Sequence, residues 1–225
     1  MKKLILGIAI TASSLALAQK AASKSPVTFG VKAGMNVSSI SKTEGIDQKA
    51  KVGFNAGAFA NIPLSSQFSI QPELLYSGLG SKSVNAYEYS LAGVTTKRKD
   101  TYTTSLNYIT VPVMFQYNAL PNLYLEAGPE FGFMLSGKNK GDVTTTVTSG
   151  GNTSTATKSY SDKINKDNVN SFNLGLGIGA GYYFTPNIGV SARYVAGLTD
   201  INKKSGSGDA IKNNVFQVGV TYKFK

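Results

Sequence analysis

The residues of this chain that most resemble a chemical motif are the alternating glycines of NLGLGIGAGYYF, residues 173–184. Gly175, Gly177 and Ala180 match the G-x-G-x-x-G/A pattern that holds a pyrophosphate, and Asp200 follows at the distance of a ribose-binding acid. That motif needs a strand that turns into a helix after its second glycine. Here apolar residues continue at every second position through the whole stretch, and no helical pattern follows. The glycines therefore predict one face of a continuous strand and no dinucleotide site.

Two missing residue types exclude most other chemistry. The chain contains no Cys and no His, so it has no thiolate, no His-activated nucleophile and no Cys- or His-ligated zinc. It also has no disulfide and no lipid-modified Cys. We predict no catalytic residue, no metal site and no cofactor, and we expect that the protein is not an enzyme. A hydrolase built from the remaining side chains is a distant alternative.

Apolar residues alternate with polar or small ones along most of the chain, which indicates strands rather than helices. The last segment, VFQVGVTYKF, shows the pattern most clearly. Eight strands are predicted, over residues 28–38, 53–63, 67–79, 104–118, 122–136, 170–184, 187–199 and 213–224. Tight turns with Pro, Asn or Ser join some of them. The other connections are predicted to be long and polar, over residues 39–52, 80–103, 137–169 and 200–213.

Long and short connections at opposite ends predict an all-β fold, a transmembrane up-and-down antiparallel β-barrel of about eight strands. Each predicted strand reaches the length of about 9–11 residues that a tilted transmembrane strand needs. A soluble β-sandwich also alternates, but its outward face is polar. In this chain the non-apolar face is small and mildly polar, and charged residues make up only 16% of the sequence. We therefore expect the apolar face of every strand to contact lipid.

Aromatic residues near the short turns and the termini are predicted to form a belt at the membrane interface. The predicted belt consists of Phe29, Phe68, Tyr117, Tyr124, Tyr182, Phe184, Tyr222 and Phe224.

The first residues have the order of a secretory signal peptide. Lys2 and Lys3 precede an apolar segment that ends in the small-x-small sequence Ala16-Leu17-Ala18. We expect residues 1–18 to be removed, which leaves residues 19–225 as one outer-membrane β-barrel domain. A buried N-terminal helix is the alternative.

An eight-stranded barrel encloses an interior just wide enough for side chains to fill it. The strand positions predict six charged residues on the inward face: Lys32, Glu73, Glu126, Glu130, Arg193 and Lys223. Because an unpaired charge is unfavourable away from water, we expect opposite charges to meet there. Such a network either plugs the lumen as part of the folded interior or gates a charged permeation path.

The alternating glycines belong to the same interior face. Four of them are predicted to line the lumen: Gly175, Gly177, Gly179 and Gly181. Their missing side chains would leave room for bulky inward residues such as Tyr108, Met114 or Arg193. Packing compensation is one interpretation of this pattern, and a cavity for a small ligand is the other.

The long connections are rich in hydroxyl, amide and basic side chains. Residues 137–168 contain a Val-Thr alternation that could extend the flanking strands as a hairpin, and a solvated loop is the other interpretation. The basic residues lie on separate connections without interleaved aromatic side chains, so we expect no nucleic-acid partner. They are predicted to meet outer-membrane lipid and the phosphates of lipopolysaccharide. These residues are Lys42, Lys49, Lys51, Lys82, Lys97, Arg98, Lys99, Lys203, Lys204 and Lys212.

Three phrases of the sequence resemble a known family. They are FNAGAFANIPLSSQFSIQPELLYSGLGSK, YITVPVMFQY and NLYLEAGPEFGFMLSG. They are similar to the repeated phrases of PorT-type, porin-family outer-membrane β-barrel domain proteins, small barrels of the OmpA/OmpX kind. The matching features are Gly57, the run Gln71–Tyr76, Val111-Pro112 and the strand from Glu126 to Pro129. The resemblance implies the fold and the bacterial outer-membrane location. It transmits no catalytic residue, although PorT itself belongs to a protein-secretion system.

Three function hypotheses follow. The first is a monomeric barrel with a structural or surface-interaction role and a lumen plugged by polar and charged side chains. The second is a narrow porin-like channel for small solutes. The third, which rests on the resemblance alone, is an accessory component of a protein-secretion system, with cell-envelope or secretion proteins as partners. In each case we expect extracellular long loops and periplasmic termini.

Overall fold

The alternating segments of the sequence form antiparallel strands that run the length of the chain. The computed structural model describes residues 26–41, 47–203 and 210–224, so the predicted signal peptide, Lys42 and Lys204 lie outside the described residues. The strands are β1 (Thr28–Ile40), β2 (Asp47–Pro63), β3 (Phe68–Leu91), β4 (Val94–Leu120), β5 (Leu123–Ser149), β6 (Asn152–Lys163), β7 (Phe172–Tyr183), β8 (Ile188–Gly197) and β9 (Asn213–Lys223). A 3-10 turn spans Lys166–Asn168. Within the described ranges, no helix is long and apolar enough to cross a membrane.

Eight of these strands close into a ring. Its order is β1-β2-β3-β4-β5-β7-β8-β9, and β9 pairs with β1 through partners such as Gly219 and Gly34. Every pairing between these strands is antiparallel. The predicted all-β, up-and-down barrel with an eight-stranded ring is therefore confirmed. The ninth strand, β6, lies outside the ring and pairs with β5.

The distribution of side chains is the reverse of that in a soluble domain. Large apolar residues such as Leu74, Ile178 and Val220 are exposed by 53%, 65% and 57% on the outside of the ring. Polar residues such as Asn36 and Gln71 are buried inside it, with exposures of 0% and 1%. Because successive side chains of a strand point to opposite faces, the period of two in the sequence produces both surfaces at once.

The two ends of the ring differ in their connections. Residues 64–67, 121–122 and 184–187 form short turns at one end, which we call the short-turn end. At the opposite, long-connection end, β3 and β4 continue beyond the ring as a hairpin, and β5 and β6 form a second hairpin beside it. These four strands make an extended sheet: residues 82–91 of β3, 94–105 of β4, 138–149 of β5 and 152–163 of β6.

The extended sheet corrects part of the sequence prediction. Residues 80–103 were predicted to be a long polar connection, and this is wrong, because only Ala92 and Gly93 separate the two strands there. For residues 137–168 the hairpin interpretation is confirmed and the loop interpretation is wrong up to Lys163. Both hairpins turn on two residues with positive φ: 49° and 78° at Ala92 and Gly93, and 55° and 79° at Gly150 and Gly151. Such turns match the right-handed twist of the strands that they join.

Seven of the eight residues predicted to form the aromatic belt are exposed on the outside of the ring. Phe29, Phe184 and Phe224, for example, are exposed by 60%, 64% and 47% near the short-turn end. Tyr124 is the exception, because it is only 2% exposed and lies inside the ring. The next residue of β5, Leu125, points outward instead and is 49% exposed. Tyr124 was wrongly included because the prediction used the residue type and the distance from the short turns. It did not consider which face of β5 the side chain occupies.

Candidate functional site

The centre of the lumen is occupied by the guanidinium group of Arg193. Its Nη1 and Nη2 atoms donate to the two carboxylate oxygens of Glu73 at 2.9 and 2.7 Å, and its Nε donates to Glu126 at 2.7 Å. Arg193 lies on β8 and Glu73 on β3, which are four strands apart in either direction around the ring. One fork-shaped, charge-assisted contact therefore joins opposite walls of the barrel.

Further polar side chains donate to or pair with the two carboxylates of this cluster. Lys32 Nζ lies 3.4 Å from Glu73 Oε1, and Gln71 Nε2 donates to the same oxygen at 2.9 Å. On the other carboxylate, Gln116 Nε2 donates to Glu126 Oε2 at 3.1 Å. The charged side chains are 0–4% exposed. Burial of charge without water is favourable only when the groups pair and fill their hydrogen bonds, and this cluster does so.

The polar network continues toward both ends of the lumen. Toward the short-turn end, Asn61 Nδ2 donates to Gln116 Oε1 at 2.8 Å. Toward the other end, Asn36 Nδ2 donates to Ser77 Oγ at 3.0 Å, and Asn55 Nδ2 donates to Asn36 Oδ1 at 2.5 Å. These amides were not among the predicted site residues, although the same alternation that selected the charged residues puts them on the inward face.

An apolar cluster closes the lumen near the long-connection end. Its buried members are Leu79, Leu106, Tyr108, Met134, Val195, Ile201 and Val215. Side chains of the connections, including Ile164, Val169 and Ile211, pack against it. The lumen thus has two closures, one ionic and one apolar. The apolar closure was not predicted, because Ile201 and Ile211 lie in connections, where alternation gives no indication of side-chain direction.

The alternating glycines of β7 lie beside the bulky residues of the lumen. A β-carbon on Gly177 would come within 2.9 Å of Met114 Cε and 3.5 Å of Arg193 Cδ. On Gly179 it would be 3.1 Å from Glu126 Oε1, and on Gly181 it would enter the ring of Tyr124.

At Gly175, a β-carbon would lie 2.7 Å from Val195 Cγ1. The missing side chains therefore leave room for the Arg193 cluster and for its neighbours.

Two of the six predicted lumen charges do not join the cluster. Lys223 Nζ lies 3.9 Å from the centre of the Tyr183 ring near the short-turn end, in a cation–π contact. Glu130 is 5% exposed, and its Oε2 has no hydrogen-bond partner among the described residues. Its cross-strand neighbours, Pro112 and Gly175, carry no side-chain donor. Our expectation that opposite charges meet therefore does not hold at Glu130.

Other unpaired polar atoms lie close to Glu130 along the strands. Thr110 is opposite Gly132, two residues from Glu130, and a β-carbon on Gly132 would be 3.4 Å from the Tyr108 ring. Within the described ranges, the side-chain oxygens of Thr110 and Tyr108 have no hydrogen-bond partner. Among all residues that the structure describes, no group of three or more acidic residues could hold a metal ion. The lumen therefore combines a paired ionic centre with unsatisfied polar side chains, among them Glu130, Thr110 and Tyr108.

Comparison with known proteins adds a family and a set of similar folds. A family model described as "Outer membrane protein beta-barrel domain" matches residues 17–203. Among curated proteins, none matches the chain.

Three solved structures are among those with a similar fold. The attachment invasion locus protein Ail of Yersinia pestis is 16% identical with a TM-score of 0.45, and the match covers 89% of this chain and 100% of that one. Neisserial surface protein A is 15% identical with a TM-score of 0.44, at the same coverage. CarO2 of Acinetobacter baumannii is 13% identical with a TM-score of 0.39, and the match covers 88% of this chain and 99% of that one.

Proposed function

Because the chain belongs to the family of outer membrane protein β-barrel domains, we propose that it is a bacterial outer-membrane barrel with a closed lumen and a structural or surface-interaction role. The observation that carries this proposal is the contact of Arg193 with Glu73 across the whole width of the ring. An eight-stranded barrel is only wide enough for its own side chains. The ion-paired cluster and the apolar cluster above it fill that width at two levels.

Planar-bilayer recording tests the closed lumen. We expect no current steps from the wild-type barrel and none from Arg193→Ala, because the apolar cluster still closes the lumen. The triple variant Arg193→Ala/Leu106→Ala/Met134→Ala lacks parts of both closures and is expected to conduct. Arg98→Ala, an arginine of the extended sheet, is the matched control and should remain silent. Steady current steps in the wild type that change size in Arg193→Ala would contradict the proposal.

A narrow channel for small solutes is the second candidate function. It is favoured by Glu130, whose unpaired carboxylate in the lumen would attract cations. A reversal potential measured across a KCl gradient tests it. A channel predicts cation selectivity that is lost in Glu130→Gln.

We further propose the orientation and partners of the barrel. Outer-membrane barrels have short periplasmic turns and longer extracellular connections, so the extended sheet would stand outside the cell and the termini would lie in the periplasm. Because the chain has no Cys, Ser149→Cys introduces a single thiol at the tip of the second hairpin. Labelling of that thiol on intact cells by a membrane-impermeant maleimide supports the orientation, and labelling only after lysis contradicts it.

Under this orientation the partners are outer-membrane lipid and lipopolysaccharide, and the barrel is monomeric.

The finer assignment to PorT-type proteins rests on the sequence phrases around Gly57, Gln71–Tyr76 and Glu126–Pro129. A role as an accessory component of secretion is the corresponding proposal. It predicts that the tagged full chain, extracted from its own membranes, co-purifies with secretion proteins.

A further inference from the structure

One face of the extended sheet, together with the adjoining end of β2, carries lysines from four strands: β2, β3, β5 and β6. Lys49 and Lys82 are direct cross-strand partners, and so are Lys138 and Lys163. Lys82 and Lys140 are both partners of Thr103, on either side of it. Direct partners and next-but-one residues share a face of a sheet, so these five exposed lysines form one patch, which we call the lysine belt: Lys49, Lys82, Lys138, Lys140 and Lys163.

The lysine belt lies directly above the apolar outside of the barrel. On β4, the strand face of Thr103 continues through Ser105 to Ile109 and Val111, away from the lumen. On β5, Lys138 follows Leu135 and Phe133, which are 47% and 49% exposed. The belt is therefore at the height where the hydrocarbon of a membrane gives way to its headgroups.

The charges of the belt are not balanced within the protein. Lysines placed directly opposite each other repel, which destabilises a strand pair. Asp47 reaches Lys49 only at 3.8 Å, and both side chains are 66% exposed. Asp142, on the same face, accepts a hydrogen bond from Ser159. The opposite face of the sheet carries Arg98 and Lys158 together with Asp100 and Asp162, so the excess of positive charge belongs to the belt side alone.

We propose that the lysine belt binds the phosphate groups of multiply phosphorylated lipids in the adjoining membrane leaflet. Two adjacent pairs of lysines, spread over neighbouring strands, match a headgroup with more than one phosphate, and the anions remove the repulsion within each pair. This inference rests on the proposed membrane location and orientation. It deepens the surface-interaction role by naming the residues that contact the lipid and the headgroup chemistry that they recognise.

Thermal unfolding of the purified full-length mature barrel in detergent tests the inference. The probe is lipopolysaccharide, compared with the same preparation after phosphatase treatment, and unfolding is followed by the loss of the compact band on a denaturing gel. We expect the untreated lipid to raise the midpoint temperature of the wild type and the treated lipid to raise it much less. The variant Lys49→Gln/Lys82→Gln/Lys138→Gln/Lys163→Gln should lose more than half of this increase. Because its internal repulsion is removed, the same variant should unfold no earlier than the wild type in detergent alone.

The matched control removes positive charge from the same face but farther from the barrel. Lys97→Gln/Lys99→Gln should keep at least nine-tenths of the increase caused by lipopolysaccharide. An equal loss per lysine in the control and the belt variant would overturn the inference, since it would indicate unspecific attraction to charge. Protection by soluble inorganic phosphate or heparin that matches that of lipopolysaccharide would also overturn it. Thermal unfolding tests the lysine belt, and planar-bilayer recording tests the closed lumen. The two measurements are independent, so the failure of one proposal can be distinguished from the failure of the other.

Discussion

At the scale of single residues, two glutamates on the same inward surface have opposite surroundings. Glu73 receives hydrogen bonds from Arg193 and Gln71 and pairs with Lys32. Glu130 has none of these partners on its Oε2 atom. Position in the strand pattern put both residues in the lumen, but it gave no information about which carboxylate the arginine would reach.

This difference predicts that removing the charge destabilises the barrel at Glu73 and not at Glu130. Glu73→Gln should lower the free energy of unfolding by about 3–5 kcal/mol, because Arg193 and Lys32 would lose a charged partner in a buried site. Glu130→Gln should leave the free energy unchanged or raise it by about 1 kcal/mol, because it removes an unpaired charge from a buried site. Urea unfolding in lipid vesicles at pH 8 measures both. A larger loss in Glu130→Gln than in Glu73→Gln would contradict the assignment of partners.

A second residue-scale prediction concerns the glycines of β7. In Gly179→Ala the new β-carbon would lie 2.5 Å from the carbonyl oxygen of Ala192, and backbone cannot move away as a flexible side chain can. We expect a loss of about 1–3 kcal/mol in the free energy of unfolding. Gly78→Ala is the control, because its β-carbon would have its nearest contact at 3.5 Å. The same urea titration should show little change there.

At the scale of elements, the strands of the ring could be predicted from sequence and the extended sheet could not. Ring strands bury one face and expose the other to lipid, so their sequences alternate strictly. The outer hairpins instead pair hydroxyl with hydroxyl, as in Thr144–Thr157 at 3.1 Å and Thr148–Thr153 at 3.0 Å. Since these pairs need no apolar residue, the predicted β3 ended where alternation ended, near Leu79, although the strand continues to Leu91.

The turn of the second hairpin gives a prediction at this scale. Gly150 has a φ of 55°, which a β-branched residue adopts only with strain of about 1–2 kcal/mol. Gly150→Val should therefore loosen the β5–β6 hairpin while the ring remains intact. Faster tryptic cleavage after Lys158, with an unchanged compact band on a denaturing gel, would be the result. Gly150→Asn is the control, because Asn tolerates this φ, and its cleavage rate should stay near that of the wild type.

At the scale of the whole molecule, closure depends on the last strand. β9 pairs with β8 on one side and β1 on the other, so it completes the ring between the two ends of the chain. The exposed apolar outside of that ring requires lipid or detergent. The family match and the eight-stranded ring agree with the barrel predicted from alternation and unequal connections.

We predict that residues 19–225, extracted in detergent, migrate as a compact band before boiling and more slowly afterwards. A chain that ends at residue 212 should show no such shift, because β1 and β8 would both lose their partner. A chain that ends after Lys223 is the control and should keep the shift. If residues 19–225 stayed compact and monodisperse in water without detergent, the lipid-facing assignment of the outer surface would be wrong.

The outer hairpins extend the wall of the barrel on one side of its long-connection end only. The wall from β3 to β6 rises about 30 Å past the ring in its outer hairpins, given the rise of a strand per residue, whereas β8 ends at Gly197. Although the ring itself is closed on all sides, its two sides therefore differ at the long-connection end. A molecule that reaches the long-connection end meets the outer hairpins on one side and, among the described residues, has open access on the side of β8 and β9.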